Sequence, residues 1–125
     1  MVTSAQALKK YGDPTLEKAM VVWDVPADIE AAIPTAPKKV YCNRDLVKPL
    51  EQAFRNLIAA GLAKELKTWD GCFNIRKKKS NASHSLHSWG LAIDVNAAWN
   101  GWKKTPTLYA VFVKAFKDAG YDWCS

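Results

Sequence analysis

Ser85-Leu86-His87-Ser88-Trp89-Gly90-Leu91-Ala92-Ile93-Asp94 is the stretch on which the reading of this chain turns. It sets an imidazole and a carboxylate seven positions apart around a run of small and apolar residues. The expected arrangement has His87 at the end of a loop and a strand running from about Trp89 to Asn96. Strand side chains alternate between faces. Leu91, Ile93 and Val95 would then face a core, with Gly90, Ala92 and Asp94 on the opposite side. A glycine and an alanine beside an acid leave a bare floor with room for a metal ion and a substrate.

Outward from that segment, the pattern is one of short elements. Leu66 to Ile75 reads as strand interrupted at Asp70-Gly71, a dipeptide suited to a hairpin turn. Leu50, Phe54, Leu57 and Ile58 repeat on one face of a helix expected from about Pro49 to Ala60, with Pro49 in its first turn and Gly61 as its stop. Lys39 to Asn43 reads as a strand, and Met20 to Val25 as an apolar run with a β bias. Pro26 to Pro37 is a connecting loop with one helical turn, and Thr3 to Tyr11 a short helix closed by Gly12. Downstream, Asn100-Gly101 marks a turn. A last helix is expected from about Thr107 to Ala119, with Leu108, Val111, Phe112, Ala115 and Phe116 on its apolar side. Helices mixed with antiparallel strands predict an α+β fold, a small antiparallel sheet with flanking helices.

Composition sets the bounds. A chain of 125 residues that is 49% hydrophobic forms one domain, 1–125, able to bury a core. The six tryptophans are many for this length and suit a groove as well as a core, Trp89 being the groove candidate beside His87. The formal charge of +6 favours anionic partners, wall polymers and nucleic acid alike. Lys77-Lys78-Lys79 is the dense basic run, on the loop leading into His87. Cys42, Cys72 and Cys124 match neither zinc-ribbon spacing nor a secreted disulfide framework, which points to synthesis in a reducing cytoplasm. Met1 to Lys10 has no apolar stretch of the signal-peptide kind, and no window approaches a membrane span.

Ser85-x-His87-x-x-Gly90-x-Ala92-x-Asp94 resembles the signature of the zinc D-alanyl-D-alanine carboxypeptidases and the related L-alanyl-D-glutamate endopeptidases, cell-wall peptidases of bacteria and of phage lysis or tail proteins. The resemblance extends more loosely from about Tyr41 to Trp123. It implies the fold shared by the D,D-peptidases and the hedgehog signalling domain. It further implies Zn2+ as cofactor with His87 and Asp94 as ligands, and Arg76 as the residue that orients substrate and polarises the scissile carbonyl. Ser85 and Trp89 are the substrate-binding candidates, and the partner is a peptidoglycan stem peptide met at the bacterial wall.

The family's third ligand is a second histidine with an acidic base before it, in a segment after the last helix. This chain reaches Asp122-Trp123-Cys124-Ser125 where that segment is expected, so a domain truncated at its C-terminus is the expectation. The histidines are His84 and His87 alone. His84 is the local candidate for a third ligand, in a two-histidine, one-carboxylate set, and Cys124 is the other. A sheet left with an open edge would invite self-association. Three readings follow: a zinc peptidase acting on peptidoglycan; an inactive truncated relative that still binds wall peptides; and a basic nucleic-acid binder, which has no motif of its own.

Overall fold

The computed structural model describes residues 2–75, 84–97 and 106–123. Its first helix, α1 (Ser4–Tyr11), opens on a reciprocal cap. The Gln6 amide donates to Thr3 Oγ1 at 3.2 Å, and the Thr3 amide to Gln6 Oε1 at 2.8 Å. Strands β1 (Met20–Asp24) and β2 (Lys39–Asn43) pair antiparallel, from Met20 opposite Asn43 to Asp24 opposite Lys39. The proline–alanine connection between them holds the short helix α2 (Ala27–Ala32), entered at Pro26. A 3-10 turn at Arg44–Leu46 feeds directly into α3 (Val47–Ala59), which therefore starts just ahead of its predicted position at Pro49. The last helix, α4, runs Pro106–Lys117.

The apolar stripes of α3 and α4 meet as the helical period requires. Leu50, Ala53, Phe54 and Leu57 of α3 join Phe112, Ala115 and Phe116 of α4, with Val40 and Cys42 of β2, in one buried cluster. Phe54 lies between Trp23 and Trp69, at 6.3 and 6.0 Å between ring centres. Asn56 Nδ2 donates to the Ala115 carbonyl at 2.9 Å and ties the two helices together. A smaller cluster of Ala7, Tyr11, Ala19, Trp89 and Leu91 fastens α1 to the segment around His87.

Two expectations are corrected. Asp70-Gly71 does not turn a hairpin: it lies in β3 (Trp69–Gly71), which pairs antiparallel with β4 (Asp94–Val95), Trp69 opposite Val95 and Gly71 opposite Asp94. Gly71, at φ 135, serves an irregularity in that register, and the Asp70 carboxylate accepts from Thr68 Oγ1 and the Ala97 amide, both at 2.9 Å. The expected strand from Trp89 to Asn96 is likewise reduced to Asp94–Val95: a 3-10 turn at Leu86–Trp89, ended by Gly90 at φ 65, takes its start, and Leu91–Ile93 join no ladder. The α+β class stands, with two separate two-stranded ladders among the described residues in place of one sheet. Among the described residues no helix is long and apolar enough to cross a membrane. The Asn100-Gly101 turn and the lysine run lie outside the described residues.

Candidate active site

Two buried asparagines hold the His87–Asp94 segment at its middle and its end. Asn43, at the end of β2, donates from its amide to the Gly90 carbonyl at 3.0 Å and from Nδ2 to the Trp89 carbonyl at 3.2 Å. Asn96, just past β4, accepts at Oδ1 from the amides of Lys67 and Thr68 at 2.7 and 3.1 Å, and its Nδ2 donates to the Glu65 carbonyl at 2.8 Å. Gly90 is required twice over. Its φ of 65° favours glycine, and a Cβ there would lie 2.7 Å from the Asn43 amide nitrogen and 2.7 Å from Met20 Cε. Gly90 is thus a packing contact, not the bare floor the alternation suggested.

His87 lies in the 3-10 turn with 7% of its surface exposed, and the ring is held at both nitrogens. Nδ1 stands 2.7 Å from the Cys72 carbonyl, and Nε2 stands 3.4 Å from Asp94 Oδ2. A carbonyl only accepts, so the Cys72 contact places a proton on Nδ1. In the neutral ring Nε2 is then a bare lone pair facing a carboxylate. Two acceptors turned toward each other are relieved by a proton on Nε2, which makes an ion pair, or by a cation that both bind. Their 3.4 Å separation exceeds the roughly 2.7–2.9 Å of a charge-assisted hydrogen bond. Two donors each about 2.0–2.1 Å from a tetrahedral zinc ion stand about 3.3 Å apart. The imidazole, its carbonyl support and the carboxylate are the donor chemistry zinc takes, so the pair fits that ion.

The pair opens into a pocket of about 350 Å³. One wall is the run Leu91 to Val95, and the other is Phe116, Tyr121, Asp122 and Trp123. The Tyr121 hydroxyl is buried without a hydrogen-bond partner among the described residues, and burial drives its pKa far above the ordinary phenol value. Burial likewise raises the thiols of Cys42, to about 11, and of Cys72 beyond that, so both are neutral core groups.

Of the residues singled out in the sequence, His87 and Asp94 are the two brought together. Ser85 spends its Oγ accepting from the His87 amide at 3.3 Å, which caps the turn, and it is not part of the pocket lining. Trp89 is 4% exposed and donates from Nε1 to the Gly12 carbonyl at 2.8 Å. It packs as a core anchor on α1 and does not line the pocket beside His87, because side chains three apart in a 3-10 turn share a face and Leu86 and Trp89 both pack there. His84 presents its ring edge to Trp89 at 5.9 Å. Among the described residues no three His, Cys, Asp or Glu side chains gather closely enough to hold a metal, so the His84, His87 and Asp94 set is not assembled. Arg76 and Cys124 lie outside the described residues. Sequence reasoning missed Tyr121 and the Cys72 carbonyl at the site. The carbonyl carries no side-chain signal, and Tyr121 looks like any apolar residue after a helix.

Residues 78–125 match the family model described as D-alanyl-D-alanine carboxypeptidase, a span that includes both members of the pair. No curated protein and no solved structure matches the chain. The family match supports a peptidase-type domain directed at peptidoglycan, of the carboxypeptidase kind.

Proposed function

We propose that this protein is a zinc-dependent peptidase acting on peptidoglycan stem peptides, by D,D-carboxypeptidase or L-Ala-D-Glu endopeptidase chemistry. The observation that carries the reading is the pair of facing acceptors, His87 Nε2 and Asp94 Oδ2, 3.4 Å apart at the edge of a pocket. His87 and Asp94 would hold the ion. Bound zinc supplies Lewis acidity, polarising a carbonyl and lowering the pKa of water. The chain's own residues do the rest. The Cys72 carbonyl keeps the His87 ring in the tautomer that leaves Nε2 free. The apolar walls from Leu91 and Ile93 to Phe116 and Trp123 exclude water from the bound peptide. Arg76 takes the substrate-orienting role that the resemblance assigns it.

A second reading, an inactive relative that binds wall peptides, is favoured by the absence of a three-ligand group among the described residues. In either case the place of action is the bacterial wall, with a phage or prophage origin in keeping with the resemblance. Zinc analysis and muropeptide digestion separate the two. Purified protein is expected to carry roughly one zinc per chain, and His87→Ala and Asp94→Asn to carry less than about a tenth of that. Zinc-free wild type overturns the metal reading; zinc-loaded protein that leaves muropeptides intact selects the binding reading.

A further inference from the structure

The pocket beside His87 has an unusual wall. Leu91, Ala92, Ile93, Asp94 and Val95 line it consecutively. A sheet face would show only every second residue of a strand to a cavity. Only Asp94 and Val95 of the five are strand, so the pocket follows the course of the chain and does not lie across a sheet face. The hydrogen bonding agrees. The Leu91 amide donates to Leu86 at 3.1 Å, and Asp94 and Val95 pair with β3. Between them, the backbone groups of Ala92 and Ile93 make no turn, loop or cap hydrogen bond to another main-chain group among the described residues. Both residues are half-buried, and main-chain groups in such a place call for partners.

We infer that this wall binds the substrate as an extended peptide, main chain to main chain, laid along Leu91–Val95. The inference rests on the peptidase reading for the identity of the ligand and adds how the ligand is held. Five residues drawn out in extended form would span about 13 Å from first to last Cα, enough to oppose three or four residues of a peptide. A peptide so placed carries its bonds past His87 and Asp94, which line the same pocket. Alternate side chains then turn toward Phe116, Tyr121 and Trp123 on the facing wall. Affinity comes from the added strand and selectivity from the pocket for alternate side chains. The substrate class is thus a linear peptide read through its amides, and the glycan strand of the wall is not bound here.

The experiment uses the full chain and acetyl-lysyl-D-alanyl-D-alanine, with analogues in which one backbone amide at a time is replaced by an ester. Each replacement deletes one N–H without adding bulk. Titration calorimetry is expected to show a loss of about fivefold or more for at least one analogue. Hydrogen exchange at the Ala92 or Ile93 amide is expected to slow at least about tenfold when the parent peptide is bound. Equal affinity for parent and all analogues, with unchanged exchange at both amides, overturns the inference. So does binding of muramyl glycan without peptide. Zinc content measured on the same samples keeps the two readings apart. Protection of these amides in a zinc-free protein retains the peptide-binding wall and removes the metallopeptidase reading. A zinc-loaded protein without protection does the reverse.

Discussion

At the residue scale, the site is decided by what each side chain does with its second bond. His87 Nδ1 is committed to the Cys72 carbonyl, which leaves Nε2 turned toward Asp94. Gly90 fixes where the turn ends. Gly90→Ala combines a left-handed backbone with a contact against the Asn43 amide that no real Cβ makes, and is expected to cost at least about 2 kcal/mol in urea unfolding. Tyr121 presents the opposite case. Its hydroxyl is buried and has no hydrogen-bond partner among the described residues, while its ring meets Phe116 edge-on at 5.8 Å. Tyr121→Phe keeps the ring contact and removes an unsatisfied group, so it is expected to stabilise the protein by about 1 kcal/mol. A destabilised Tyr121→Phe protein would show that the hydroxyl has a partner.

At the scale of elements, β4 is too short to hold its own position. Two residues of ladder are not a stable strand, and Asn96 supplies the missing restraint. Its φ of 53° and three side-chain hydrogen bonds lock the chain to the 65–68 segment right after Asp94. Asn96→Ala leaves two amides and a carbonyl without partners, at a cost expected near 3 kcal/mol. In circular-dichroism melts the midpoint should fall, and if the proposed site holds zinc its affinity should fall with it as Asp94 loses its register. An Asn96→Ala protein with unchanged melting would mean that the ladder alone suffices. Elements also show where sequence pattern misleads. Helical periodicity found α3 and α4 from their own residues, since i, i+4 contacts are local. Asp70-Gly71 looked like a hairpin turn because nothing near it in the chain announces Asp94 and Val95 as partners.

At the scale of the molecule, α1 is fixed to the body by Trp89 on one side and by Asp45 on the other. The Tyr11 hydroxyl donates to Asp45 Oδ2, and Lys10 Nζ lies 3.4 Å from the same oxygen. The Tyr11 hydrogen bond, with help from Lys10, holds the Asp45 carboxyl below its ordinary value. Burial and that carboxylate push the Tyr11 phenol up to about 12, so it remains a donor throughout the neutral range. Between the lowered folded value of Asp45 and its unfolded value of about 3.9, the unfolded chain binds more protons. This contribution to stability is therefore full above about pH 4 and is lost as pH falls through the folded value. Urea midpoints measured from pH 5 down to pH 3 should drop more steeply for wild type than for Asp45→Asn, and parallel curves would refute the linkage. Self-association through a sheet edge, suggested by the sequence, is a separate proposal that sedimentation decides.

From its residues alone this chain declared an α+β class, the faces of its long helices, the β1–β2 strands and the His87–Asp94 pair. Those features depend on side-chain identity and on spacing within a few turns of chain. Tertiary structure alone decided that Trp89 anchors α1, that β3 pairs with β4, and that a carbonyl from Cys72 sets the His87 tautomer. It also decided that one wall of the pocket is the consecutive run Leu91–Val95. These are contacts between residues far apart in the chain, several of them made by main-chain atoms. Every residue carries the same amide, so no side-chain pattern reveals which ones will meet.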